Sequence, residues 1–138
     1  MIVLKPYQNR VLGSLRDFLR ACSAGGSLHN SFHDILTANE FPEAPYIPVI
    51  SEGLGSSMPY VCLRVPTGGG KTLLACHAAG IAKNDLLRAE QAVVLWLVPS
   101  QTILGQTADA LRDPRHPYRR ALETACAGPV EVLTIEEA

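Results

Sequence analysis

The sequence predicts an α/β fold in which helices cover both faces of a parallel sheet. Three short apolar runs alternate with longer segments of helical periodicity, and a glycine-rich turn joins the first run to the helix after it. Such alternation is typical of doubly wound α/β domains. The expected strands are Tyr60–Val65, Ala92–Val98 and Val130–Ile135. Because these runs are nearly continuously apolar, we expect both faces of the sheet to be buried.

Helices are expected on either side of these strands. Apolar residues recur at steps of three and four from Tyr7 to Cys22, which predicts an amphipathic helix that ends at the Gly25–Gly26 pair. Proline, glycine and serine then mark a long irregular connection from about Asn39 to Pro59. The later helices are expected at residues 71–88, 102–112 and 118–127, and the first of them is apolar enough to be a buried central helix.

The composition is that of one ordinary globular domain. Of 138 residues, 47% are hydrophobic and 18% are charged, and the net charge of −1 gives no general attraction for a polyanion. The four cysteines form no CxxC pair, so neither a disulfide framework nor a structural zinc site is indicated, and a cytoplasmic location fits. No apolar run approaches the roughly 20 residues that cross a bilayer, so no membrane association is expected.

The segment from Val65 to Thr72 has the composition and position of a phosphate-binding loop. It follows an apolar run and opens an apolar helix, which is the context that such a loop requires. Glycines without Cβ atoms let backbone N–H groups turn inward around an anion at the helix N-terminus. Lys71 supplies a charge for the β- and γ-phosphates, and the Thr72 hydroxyl is the usual ligand to Mg²⁺ in this arrangement. The predicted nucleotide contacts in the loop are Pro66, Thr67, Gly68, Gly69, Gly70, Lys71 and Thr72.

Three segments resemble motifs of superfamily 2 helicases and translocases of the DEAD/DEAH type. Pro66–Thr72 resembles motif I, in which alanine or valine often replaces the first glycine, as Val65 does in this sequence. Pro99–Gln106 is similar to motif Ia, and Leu4–Gln8 is similar to the segment whose glutamine binds adenine in that superfamily. Their order and separation also match, and the chain is most similar to the helicase (R) subunit of type III restriction enzymes.

This resemblance implies a RecA-like P-loop NTPase fold, present as the front half of the first motor domain, with ATP and Mg²⁺ as cofactors. The implied domain organisation is an N-terminal helix with the adenine-binding segment (1–26), a connection (27–58) and the first part of the ATP-binding domain (59–138). Lys71 and Thr72 would act in catalysis, and Tyr7 and Gln8 would contact the nucleotide. The implied partners are double-stranded DNA and a modification or specificity subunit. The nucleic-acid contacts would be Pro99, Ser100, Gln101 and Gln106.

The sequence departs from the superfamily at motif II, the Asp-Glu pair that binds Mg²⁺ and polarises the attacking water. Glu136–Glu137 is the only candidate, and it begins with glutamate. The second motor domain is also absent, so we expect the complete gene product to hydrolyse ATP and this chain alone to be inactive.

Other functions and features remain open at this stage. A small-molecule P-loop kinase needs the same loop, and a non-catalytic nucleotide-binding fragment is the third alternative. A local basic cluster is either a phosphate-contacting patch or a solvated face; it comprises Arg112, Arg115, Arg119 and Arg120.

Overall fold

The computed structural model describes residues 2–138, and in that part of the chain every regular element is helical. The α-helices are α1 (Pro6–Ser23), α2 (Leu28–Ala38), α3 (Lys71–Ile81), α4 (Gln101–Arg112) and α5 (Pro117–Cys126). A π-helix at Ala82–Leu87 directly continues α3. The helices α1, α4 and α5 begin and end within a few residues of their predicted limits.

The helix α1 forms because its sequence has one apolar face and a proline at its first position, where no backbone N–H is needed. That face is buried against α3 and the π-helix, and it forms the first hydrophobic cluster of the molecule. The buried members of the first cluster are Leu12, Leu15, Phe18, Leu19, Leu74 and Ile81.

The helix α3 is the central element, as the sequence predicts. One side of it contributes to the first cluster, and the other side places Cys76 in a second cluster with Leu111 of α4 and Leu122 of α5. α3 packs most extensively against α5. At Gly80 the two helices approach so closely that an added Cβ would lie 2.4 Å from the Ala125 carbonyl oxygen.

The helix α2 lies in the connection 27–58, before the irregular stretch expected from about Asn39, and no element is predicted for it from the sequence. The Ser27 hydroxyl caps α2 by accepting from the N–H of Asn30. Phe32 of α2 packs edge-on against Phe18 of α1, with ring centroids 6.0 Å apart, and Tyr46 packs against both rings. Phe32 and Tyr46 therefore cover the first cluster at Phe18.

The predicted parallel sheet and RecA-like α/β architecture are wrong for this structure. No strand is present in residues 2–138, and the three apolar runs make no backbone hydrogen bonds to one another. Much of their apolar surface is exposed, as shown by Val93 at 99% and Leu97 at 78%.

The physical reason is that a buried parallel strand needs a hydrogen-bonded neighbour, and these runs pack on helices instead. In the run 60–65 the alternate side chains Val61, Leu63 and Val65 contact the first cluster, while those between them are exposed. In the run 130–135, Val130 and Val132 contact the second cluster in the same manner. Each of these two runs thus buries one face, where the sequence predicted two.

Candidate phosphate-binding loop

The glycine loop, defined here as residues 66–70, turns the chain from the apolar run 60–65 into α3. The N–H of Gly69 donates to the Pro66 carbonyl at 2.9 Å, which closes the turn. Gly68 and Gly70 have φ values of +74° and +79°, a conformation that residues with a Cβ atom rarely adopt. The loop is therefore a glycine-dependent turn, as the sequence indicates.

The loop ends at the N-terminus of α3. Gly70 is the N-cap residue and has no side chain to accept from the first N–H groups of the helix. Lys71 and Thr72 are the first two residues of α3; Lys71 is exposed and makes no ion pair within residues 2–138, and Thr72 is half-buried. Free N–H groups at a helix N-terminus, with a lysine beside them, form an environment that favours an anion.

Two side chains of α1 contact the loop directly. The Tyr7 hydroxyl and the Gln8 Nε2 both donate to the carbonyl oxygen of Gly69, each at 2.9 Å. The Gln8 Oε1 accepts from the backbone N–H of Lys5 at 2.8 Å, and Gln8 is only 5% exposed. The structure thus brings Tyr7 and Gln8 to the loop, with both ends of the glutamine carboxamide hydrogen-bonded.

The residues predicted to contact nucleic acid lie at the start of α4. Ser100 is the N-cap residue, and its hydroxyl accepts from the N–H of Ile103 at 3.3 Å. Pro99, Gln101 and Gln106 are exposed, and α4 packs against α5. Within residues 2–138 no hydrogen bond or ion pair joins this group to the glycine loop.

Glu136–Glu137 is the only candidate for motif II, and its second residue, Glu137, has a structural role. The Glu137 carboxylate accepts from the Thr134 N–H at 2.7 Å and pairs with Arg112. The hydrogen bond from Thr134 is the main cause that lowers the pKa of Glu137, and Arg112 adds to it. Glu137 therefore fixes the last turn of the chain to α4.

The arginines of the basic cluster are largely engaged within the protein. Arg119 donates to Glu123 at 2.8 Å, to the Leu111 carbonyl at 3.0 Å and to the Val130 carbonyl. Arg115 contacts Asp113 at 3.4 Å. The contacts of Arg119 join α5 to the segments around it, whereas the contact of Arg115 is local to the turn before α5.

An ion-pair network that no sequence pattern indicates joins α1 to the π-helix. Asp85 lies 2.6 Å from Arg20 Nε and 3.5 Å from Arg16 Nε. Beside it is a cavity of about 160 Å³, lined by Arg16, His77 and Asp85 among others. Burial, followed by the charge of Arg16, lowers the pKa of His77. No sequence motif signals this contact because Arg20 and Asp85 are 65 residues apart.

The thiol of Cys76 is not a reactive group. Burial, together with the neighbouring Cys126, raises the pKa of Cys76 to about 11. The thiolate is the nucleophilic form of cysteine. A protonated, fully buried thiol is therefore part of the second cluster only.

The chain matches one known family. The family described as type III restriction enzyme, res subunit, matches residues 1–130, a range that contains the glycine loop, Tyr7 and Gln8, and the segment Pro99–Gln106. No curated protein and no solved structure matches the chain. None of the helices in the described residues is long and apolar enough to span a membrane.

Proposed function

Because the chain belongs to the family of type III restriction enzyme res subunits, we propose that it is the ATP-binding portion of a nucleic-acid-dependent ATPase. The family is one of helicase-like enzymes that use ATP to act on nucleic acids. The observation that supports the ATP-binding role is the glycine loop, which leaves the first N–H groups of α3 without side-chain acceptors beside an exposed lysine. Family membership favours this function over a small-molecule kinase, which uses the same loop chemistry.

In this proposal the loop binds the polyphosphate of ATP. Backbone N–H groups of Gly68 and of residues 70–72, with the positive end of α3, contact the phosphate oxygens; the N–H of Gly69 is already engaged by Pro66. Lys71 neutralises the charge on the β- and γ-phosphates, and Thr72 supplies one hydroxyl oxygen to Mg²⁺. One hydroxyl suffices as the protein ligand of the loop because Mg²⁺ takes its remaining ligands from phosphate and water.

We place the nucleic acid, as double-stranded DNA, along the exposed start of α4. Pro99, Ser100, Gln101 and Gln106 are all exposed at or near the start of α4, and the last three carry neutral polar groups that suit contacts to a phosphate backbone. A modification or specificity subunit is the expected protein partner. Turnover by this chain alone is expected to be negligible, since Glu137 is engaged by Thr134 and Arg112.

The test is a titration of a fluorescent ADP in the presence of Mg²⁺. We expect Lys71→Ala to weaken binding by about 10- to 100-fold, the range for a lost contact with a charged group. Arg115→Ala is the matched control, because it removes an exposed cation that pairs only with Asp113 across the surface. Equal affinities for wild type and Lys71→Ala would contradict the proposed function.

A further inference from the structure

We propose that Tyr7 and Gln8 are positioning residues that set the orientation of the Gly69–Gly70 peptide for phosphate binding. The inference rests on the proposed function of the glycine loop. It assigns to these two side chains a role toward the loop backbone, in place of the base contact that the sequence predicts for Gln8.

The carbonyl oxygen of Gly69 accepts two hydrogen bonds from α1. A carbonyl oxygen accepts two hydrogen bonds, and that of Gly69 receives one from the Tyr7 hydroxyl and one from the Gln8 carboxamide. Gly69 is itself buried. A buried carbonyl with two donors has little freedom to rotate, so the plane of its peptide is fixed against α1.

The other side of the same peptide is the N–H of Gly70. In a trans peptide the C=O and the following N–H point in opposite directions, and no cis bond is present in residues 2–138. With the Gly69 carbonyl directed at α1, the N–H of Gly70 points away from α1. This N–H makes no backbone hydrogen bond within the described residues, so it is free to donate to a phosphate oxygen at the start of α3.

The side chain of Gln8 is held in place before it reaches the loop. Gln8 lies at the third position of α1, and the N–H of Lys5 fixes its Oε1, so its Nε2 is directed toward Gly69. Space at the contact is minimal, because a Cβ on Gly70 would lie 2.7 Å from the Gln8 Nε2. α1 thus fixes the loop conformation before any ligand arrives.

The test compares inorganic tripolyphosphate, ADP and GDP, each with Mg²⁺, as ligands of the protein. We expect Tyr7→Phe and Gln8→Met each to weaken all three by the same factor of about three to ten, the value of one hydrogen bond. The ratio of ADP to GDP affinity should stay at the wild-type value. Tyr118→Phe and Gln91→Leu are matched controls on α5 and on an exposed segment, and they should bind as the wild type does.

The outcomes separate the two proposals. If the wild type binds tripolyphosphate better than Lys71→Ala but Tyr7→Phe and Gln8→Met bind it as the wild type does, only the positioning role is overturned. The positioning role is also overturned if Gln8→Met weakens the binding of ADP but not of tripolyphosphate or GDP, because Gln8 would then contact the base. If the wild type and Lys71→Ala bind tripolyphosphate equally, the proposed function fails and the positioning role with it. Thermal unfolding of each variant identifies misfolded protein. If Gln8→Met does not fold, Tyr7→Phe, which keeps the aromatic ring, is the variant that tests the positioning role.

Discussion

At the scale of single residues, the glycines of the loop have different reasons to be glycine. Gly68 and Gly70 both have positive φ, but an added Cβ would meet open space at Gly68 and the Gln8 amide at Gly70. The sequence predicts the loop because Gly-Gly-Gly-Lys-Thr is a local pattern. It does not predict that Tyr7 and Gln8 bind the Gly69 carbonyl, because that contact joins residues about 60 positions apart.

The two positions provide a direct comparison of backbone strain with side-chain contact. We expect Gly68→Ala to lower the free energy of unfolding by about 1 kcal/mol, the usual cost of a Cβ at positive φ. Gly70→Ala has the same strain and also displaces Gln8, so a loss of about 2–4 kcal/mol is expected. Urea unfolding measures both, and equal losses would show that Gln8 does not contact Gly70 in solution.

At the scale of elements, the amphipathic pattern was sufficient for α1, α4 and α5 and insufficient for two others. No helix is predicted for α2, although Ser27 is a good helix cap, because its 11 residues are short and none of them is fully buried. The π-helix was missed because its cause is tertiary. Lys83 and Asn84 donate to the last carbonyls of α5, and Asp85 accepts from α1.

The packing of α3 on α5 depends on the absence of one side chain. We expect Gly80→Ala to destabilise the protein by about 3 kcal/mol, because its Cβ would lie 2.4 Å from the Ala125 backbone and the helices must separate. Gly13→Ala is the matched helical control. It has open space around it and should raise the free energy of unfolding by about 0.5–1 kcal/mol. If Gly80→Ala left the free energy of unfolding unchanged, α3 and α5 would be further apart in solution than in the structure.

At the scale of the whole molecule, the predicted sheet was the main error. The sequence predicts a strand for each of the three apolar runs, and no strand is present in residues 2–138. Pairing is a property of several segments at once, and no single run contains the information that its backbone has a partner. In the structure helices supply the burial, and the outer faces of the runs stay in water.

These outer faces allow a test of the molecule as a whole. Val93→Lys should change the free energy of unfolding by less than about 0.5 kcal/mol, as is usual for surface positions, since Val93 is 99% exposed. It should also reduce self-association in sedimentation experiments, because exposed apolar segments promote it. Leu74→Ala, in the first cluster, should cost about 2–5 kcal/mol. A cost for Val93→Lys similar to that of Leu74→Ala would show that the run 92–98 is buried in solution.

The packing of α1 against α3 and the π-helix has a consequence for biosynthesis. α1 ends at Ser23, but the elements that cover its apolar face, α3 and the π-helix, end only at Leu87. At ribosomal speeds of about 5–20 residues per second, the intervening chain takes roughly 3–13 seconds to emerge. During that interval α2 already supplies Phe32 against Phe18, but the nascent α1 still lacks its buried partners Leu74 and Ile81 of α3. Part of its apolar face therefore stays exposed for seconds after synthesis, and exposed hydrophobic surface of this kind makes a folding intermediate prone to aggregate.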